Sequence, residues 1–444
     1  MAALLEAARR RNPLPTGTAA VGVGLIVAGM SAYGFLFFAD KALSKHEYSP
    51  LGVLWSMVFL IGPGLFLPLE QEISRALAER RARNEGGLPV VRRAATIGVG
   101  LFLGVTVLLI FGAGWITEHL FDDQYLLLLG LGLGLAGAMA GHITRGCLSG
   151  TNRFNGYGIY IGADGFIRVL GGVLLLVVGV NTAGPFGVAI GIAGLLAVPV
   201  ALTVQRPDLE EGPEASFSEV GSALGMLLVA SLCAFALMNI GPVIVALLAS
   251  DAQAEAAGRF VNGVVIARIP LFLFQAVQAS LLPKLSTLAH SGHLGDFRVG
   301  LKRLLVVVAG LAAIGAVVGA VLGPFIVEIM FPSADLGART MGLLAAGAGL
   351  YMLAMACAQA VIALGGHGDQ AIGWGAGIVA LAAAIVAGMG LDLFLRVELA
   401  LLVGSAVAMV VMGAMLLRRL HAAGPLAIDS GDLIEAIHEV PMEP

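Results

Sequence analysis

Apolar stretches of about twenty residues, the length that crosses a hydrocarbon core, recur along this chain from Thr16 to Leu420 with only short polar breaks. The pattern predicts helices near residues 16–38, 48–70, 92–116, 124–144, 155–180, 184–204, 218–249, 256–283, 301–330, 337–364, 369–391 and 397–418. Runs such as LLLLGLGLGLAGAMAG (Leu126 to Gly141) are apolar on every face. A transmembrane β-barrel would alternate apolar and polar positions over segments of roughly ten residues, so it is excluded. The fold class is therefore all-α: an integral membrane protein of about twelve transmembrane helices.

The polar breaks set the domain organisation. The segment QRPDLEEGPEAS (Gln205 to Ser216) divides the spans into six plus six, giving an N-terminal segment 1–15, a first half 16–204, a linker 205–217, a second half 218–420 and a tail 421–444. Leu67-Pro68 and Leu282-Pro283, like Gly150 and Gly365, recur at a spacing of 215 residues, which fits a parallel internal repeat with a substrate site between the halves. Gly130 with Gly134, and Gly137 with Gly141, have the small-xxx-small spacing that lets helix backbones approach closely, here for packing within the chain. The acidic tail is expected to be disordered or a short surface helix.

Composition agrees with burial in lipid: 58% of the 444 residues are hydrophobic and 12% charged, with a mean hydropathy of +0.94. Soluble domains carry about 25% charged residues. Arg9, Arg10 and Arg11 precede an apolar run that continues to about Phe38, too long for a cleavable signal, so it is expected to be the first retained span. Only Lys41, Lys45, Arg259, Arg339 and Arg396 fall in the segments on one side; eighteen Lys and Arg fall on the other. Cationic loops stay in the cytoplasm, so both termini are expected there, with the protein multi-pass in the cytoplasmic membrane. Cys147, Cys233 and Cys357 lie in or at the edge of spans, and no disulfide framework is expected. A net charge of −4 without a basic stripe gives no sign of nucleic acid as a partner.

Charges inside the spans change the picture most. An ionisable group at the bilayer centre costs about 2.5–3.5 kcal/mol even on insertion scales, and such groups mark function by default. Asp164 and Arg168 stand four apart on one helix face, where they neutralise each other or fix helix packing. Arg268 has no local partner and lies two residues before Pro270. An in-membrane guanidinium suits phosphate, because it forks onto two oxygens and keeps its proton. Asn239, Gln275 and Gln278 extend a polar strip that could line a cavity or join helices. Glu70, Glu72, Asp122 and Asp123 read as interfacial charges, and His142 and His367 as interfacial histidines.

Three stretches carry a resemblance. TRGCLSGTNRFNGYG (Thr144 to Gly158) followed by Arg168, AGRFVNGVVIARIPLFLFQAVQASLLPKLS (Ala257 to Ser286) and PLEQEISR (Pro68 to Arg75) resemble the multidrug/oligosaccharidyl-lipid/polysaccharide (MOP) exporter superfamily, and within it the bacterial polysaccharide-repeat-unit flippases. The resemblance implies a MATE-like fold of two six-helix halves. It further implies alternating-access transport of an isoprenoid-diphosphate-linked oligosaccharide for polysaccharide biosynthesis, with that lipid-linked glycan and membrane lipids as partners and a coupling ion possible. On that reading Arg168 and Arg268 contact diphosphate or acidic sugar, Asp164 tunes Arg168, Asn239, Gln275 and Gln278 line the cavity, and Arg145 and Arg153 hold the cytoplasmic gate. A multidrug exporter of the same fold is the alternative. The absence of a fourteen-helix layout argues against peptidoglycan precursor. An integral-membrane polymerase or transferase needs a larger outer loop or a carboxylate pair; no catalytic constellation, metal set or cofactor motif is present in the sequence.

Overall fold

The computed structural model describes residues 17–221, 224–271, 274, 294–332 and 334–422. They form α1 (Thr18–Ala42), α2 (Lys45–Ala82), α3 (Leu88–Phe111), α4 (Ala113–Leu120), α5 (Tyr125–Gly150), α6 (Phe154–Val178) and α7 (Ala183–Val204). After the linker come α8 (Phe217–Gly221), α9 (Leu224–Asn239), α10 (Gly241–Leu248), α11 (Ala256–Ala267), α12 (Leu294–Met330), α13 (Ala338–Ala363), α14 (His367–Ala387) and α15 (Leu393–Ala422). Among the described residues 11 helices are long and apolar enough to cross a membrane. The twelfth predicted span, 256–283, begins with α11, and most of its remainder lies outside the described residues.

Two predicted spans each resolve into a pair of helices. The span over 92–116 divides at Gly112, between α3 and α4. The span over 218–249 divides at Ile240, where Pro242 in the first turn of α10 has no N–H to donate. The Ile244 amide still bonds to the Ile240 carbonyl at 2.9 Å, so the axis bends without losing its ladder. With 38 residues, α2 is about 57 Å long. A hydrocarbon core of about 30 Å cannot hold it, and its Glu- and Arg-rich last turns continue into the polar region, as a helical extension of the span.

Packing partners repeat between the halves. In the first, α1 lies on α6, α2 on α5, and α7 on both α5 and α6; in the second, α9 lies on α14, α11 on α13, and α15 on both α13 and α14. The long helix α2 runs between the halves and touches α9, α10 and α11. The glycine faces of α5 serve this packing: Gly130 meets Gly187 of α7, and Gly137 meets Gly191 and Gly194. Large apolar side chains such as Phe111, Val177, Val321 and Phe325 face outward, as lipid requires and water would penalise.

The two ends of the bundle differ. At the end where α1 begins and α15 finishes, the linker is strapped onto the first half. Arg80, buried on α2, donates to the carbonyls of Gly86 (2.9 Å) and Pro213 (2.7 Å) and pairs with the Glu219 carboxylate at 2.6 and 2.9 Å. The Leu88 amide donates to Glu210, and Ala215 and Val220 complete an apolar cluster with Leu69, Ile73, Leu77 and Val90. At the opposite end the halves touch directly. Tyr48 Oη donates to Asn262 Oδ1 (2.5 Å), Ser49 Oγ donates to the Ala254 carbonyl (2.8 Å), and Tyr33 Oη to that of Val265 (3.2 Å).

Candidate functional site

The first half encloses a cavity of about 290 Å³ lined by α2, α5, α6 and α7, with Phe235 of α9 closing it from the second half. Two ion pairs face it. On α6 the four-residue spacing brings Arg168 Nη2 to 2.7 and 2.6 Å from the two oxygens of Asp164. The Arg168 guanidinium also lies 5.2 Å from the Phe59 ring centroid and 5.7 Å from that of Trp55, within cation–π range. The second pair joins α2 to α5: Arg145 Nη2 is 2.6 Å from Glu70 Oε2. His142 Nδ1 stands 2.7 Å from both partners, and Tyr157 Oη donates to Glu70 Oε1 at 2.9 Å.

This arrangement follows from low dielectric. Taking a charge out of water costs several kcal/mol, and a partner within hydrogen-bond reach recovers that cost only when the remaining polar atoms are also satisfied. Glu70 is satisfied on both oxygens by three side chains from α5 and α6, so it stays buried at 6% exposure. The arginines are satisfied less completely: Nε of Arg145 and of Arg168 is buried without a hydrogen-bond partner among the described residues. Each pair thus keeps one buried donor idle. Gly141 makes room for the Tyr160 hydroxyl, which a Cβ there would strike.

The second half is built otherwise. Arg268 follows the last residue of α11 and points into a pocket of about 40 Å³, room for no more than a few waters. Its walls are Leu237, Val264, Ala267, Leu271, Leu344 and Leu401, with Tyr351 and Ser405 as polar exceptions. Arg268 Nη1 donates to Asn239 Oδ1 at 3.0 Å, and no carboxylate among the described residues lies within ion-pair distance of it. Asn239 in turn donates through Nδ2 to the carbonyls of Phe59 (3.2 Å) and Phe235 (3.0 Å), so one buried amide ties Arg268 to α2 of the first half.

The remaining sequence-predicted residues separate. Arg145 does not sit with Arg153. It lines the first-half cavity, whereas Arg153 stands at the linker, 3.6 Å from Asp208. Gln275 and Gln278 lie outside the described residues. Glu70 and His142, expected at the interface, are buried members of the cavity network; Asp122 pairs with exposed His46 at 3.4 Å, as an interfacial charge does. The sequence signal for Glu70 was weak, because its partners are 72 to 87 residues away; His142 three positions before Arg145 on one face of α5 was the available pointer. Among the described residues no cluster of three His, Cys, Asp or Glu side chains could hold a metal ion.

No family model matches this chain. An uncharacterised protein of Mycobacterium tuberculosis is 26% identical over 373 residues, covering 80% of this chain and 82% of its own length. A second uncharacterised protein of that organism is 25% identical over 420 residues, covering 92% and 93%. The fold is that of MATE transporters. A multidrug resistance MATE family transporter of the MOP superfamily in its inward-facing conformation matches with a TM-score of 0.69 at 12% identity, over 92% of this chain and 96% of that one. A MATE transporter of Vibrio cholerae matches with a TM-score of 0.67 at 14% identity, over 91% and 95%.

Proposed function

We propose that this protein is an alternating-access transporter that turns an isoprenoid-diphosphate-linked oligosaccharide across the cytoplasmic membrane, from the cytoplasmic face where both termini lie to the outer face. The observation that carries this reading is Arg268: a permanent cation in a membrane-embedded pocket whose only hydrogen-bond acceptor among the described residues is a neutral amide. A charge held that way is matched by an incoming anion, and a diphosphate offers two-oxygen faces to a guanidinium. A glycan and a diphosphate cannot enter hydrocarbon unaided, so the carrier has to supply polar surface while the isoprenoid tail remains in lipid. The first-half cavity supplies it, through Arg145, His142 and Arg168 in its lining and through Asp164, which sets how strongly Arg168 attracts an anion. Arg153, held at the linker, belongs to the cytoplasmic gate. Motif resemblance over Thr144 to Gly158 and around Arg268 supports the glycan-lipid class.

A second reading, export of drugs or other small molecules, draws on the solved structures of this fold, which include a multidrug resistance transporter. Proteoliposomes separate the two. A fluorescent isoprenoid-diphosphate oligosaccharide should become accessible on the far leaflet only when the protein is present, while uptake of a cationic dye stays at the protein-free level. Dye uptake without movement of the lipid-linked glycan would overturn the flippase reading and favour the exporter.

A further inference from the structure

The opposite end of the second half holds a group that the substrate path does not use. Glu398, in the second turn of α15, is 1% exposed. Both of its carboxylate oxygens are buried without a hydrogen-bond partner among the described residues. The Thr340 hydroxyl, on the first turn of α13, is the one neutral polar side chain beside it among the described residues. Arg339 Nε stands 4.0 Å away on a side chain that is 57% exposed, turned also toward Asp392 at 3.7 Å. The other packed elements bring no closer cation. Arg259 of the α11 helix spends its donors on the carbonyls of Ala334 and Asp335, Arg396 on that of Ile385, and α10 has no titratable residue.

An ionised carboxylate in this place would lose its hydration and receive little in return. The effective desolvation cost is several kcal/mol, whereas a helix N-terminus such as that of α13 contributes about 0.3–2 kcal/mol to an anion. A half-exposed arginine at 4.0 Å is largely screened. The inequality is removed by a proton, which converts the anion into a neutral acid. A metal ion does not fit, since hard cations take six or more oxygens and only Glu398 and Thr340 offer any here. Directly outside lies a polar vestibule of about 630 Å³ whose lining includes Arg339, Thr340, Asp392 and Asp251.

We propose that Glu398 is a proton-binding site of the second half, loaded from this vestibule, and that it takes up the proton whose gradient drives transport. In the loading step a hydronium ion in the vestibule gives its proton to a Glu398 oxygen and leaves as water. In the reverse step water receives the proton, and Arg339 moves inward to neutralise the carboxylate. The coupling role rests on the transport reading above; proton binding does not.

The test has two arms. Infrared difference spectra of purified protein in nanodiscs should contain a carboxylic-acid carbonyl band that is lost in Glu398→Gln, a substitution close in shape that keeps the fold. Identical spectra for the two proteins would overturn the site. In proteoliposomes carrying the fluorescent lipid-linked glycan, an imposed pH gradient should accelerate translocation by wild type, and Glu398→Gln should lose that acceleration while keeping the gradient-free rate. A variant that lacks the band and still responds to the gradient would overturn the coupling role. Failure of wild type to move the glycan would count against the flippase reading alone, because the infrared arm decides proton binding independently.

Discussion

The two halves share one packing plan and opposite chemistry. In the first, the α5 and α6 helices bring Arg145, Asp164 and Arg168 to a single cavity, and Glu70 of α2 pairs with Arg145 behind its wall. In the second, α13 carries Cys357 and Ala360 at the positions 215 residues beyond His142 and Arg145, and the walls around Arg268 are leucine, valine and alanine. The first half can hold four charges because each sign is met inside it. Among the described residues, the pocket around Arg268 holds one cation and no carboxylate. A shared scaffold therefore does not fix the electrostatics of its interior; a few substitutions on equivalent faces decide which side is self-neutralised and which side leaves a guanidinium with a neutral partner.

Breaking that contrast has a graded set of outcomes. Glu70→Ala strands Arg145 in the first-half cavity and removes the acceptor of Tyr157, so it should cost about 3–5 kcal/mol, read as a large drop in melting temperature of the detergent-solubilised protein. Asp164→Asn keeps the shape and removes the charge that neutralises Arg168; the loss should be nearer about 2 kcal/mol, since an amide oxygen can still accept. Stability equal to wild type in both variants would show that the cavity is hydrated and its pairs are dispensable. Arg268→Ala should leave folding almost untouched, because no carboxylate is abandoned, while translocation of the lipid-linked glycan falls about tenfold or more, the equivalent of one charge-assisted hydrogen bond. An unchanged rate would remove Arg268 from the substrate path. Arg92→Ala breaks an ion pair with Glu211 whose members are both about two-thirds exposed; its effect should stay within about 0.5 kcal/mol, and a larger one would mean that the strap depends on its surface charges.

Much of this was legible in the sequence and some was not, for physical reasons. Spans are visible because hydrocarbon thickness sets a length, and the Asp164–Arg168 pair is visible because four residues make one helical turn. Glu70 was hidden by the length of α2: standing at the end of the helix predicted over 48–70 it read as interfacial, yet the helix continues to Ala82 and holds it inside. Its partners, on α5 and α6, meet it only through tertiary packing. Asn239 read as a cavity residue, but the way it joins Arg268 to the Phe59 carbonyl depends on how the halves meet, which no periodicity records. Glu398 is one carboxylate near a helix start in the sequence, and only the packing of α13 against α15 shows it buried beside a half-exposed arginine at 4.0 Å.

The strap at Arg80 also bears on mechanics. A dozen residues between two rigid bodies would ordinarily act as a slack tether, leaving their relative orientation undetermined. Here the tether is riveted to the first body along most of its length, through Glu210, Pro213, Ala215 and Glu219. The linker is thereby made part of the first half as far as α8. The strap therefore ends where α9 begins, and α9 carries at its far end Asn239, the amide that accepts from Arg268.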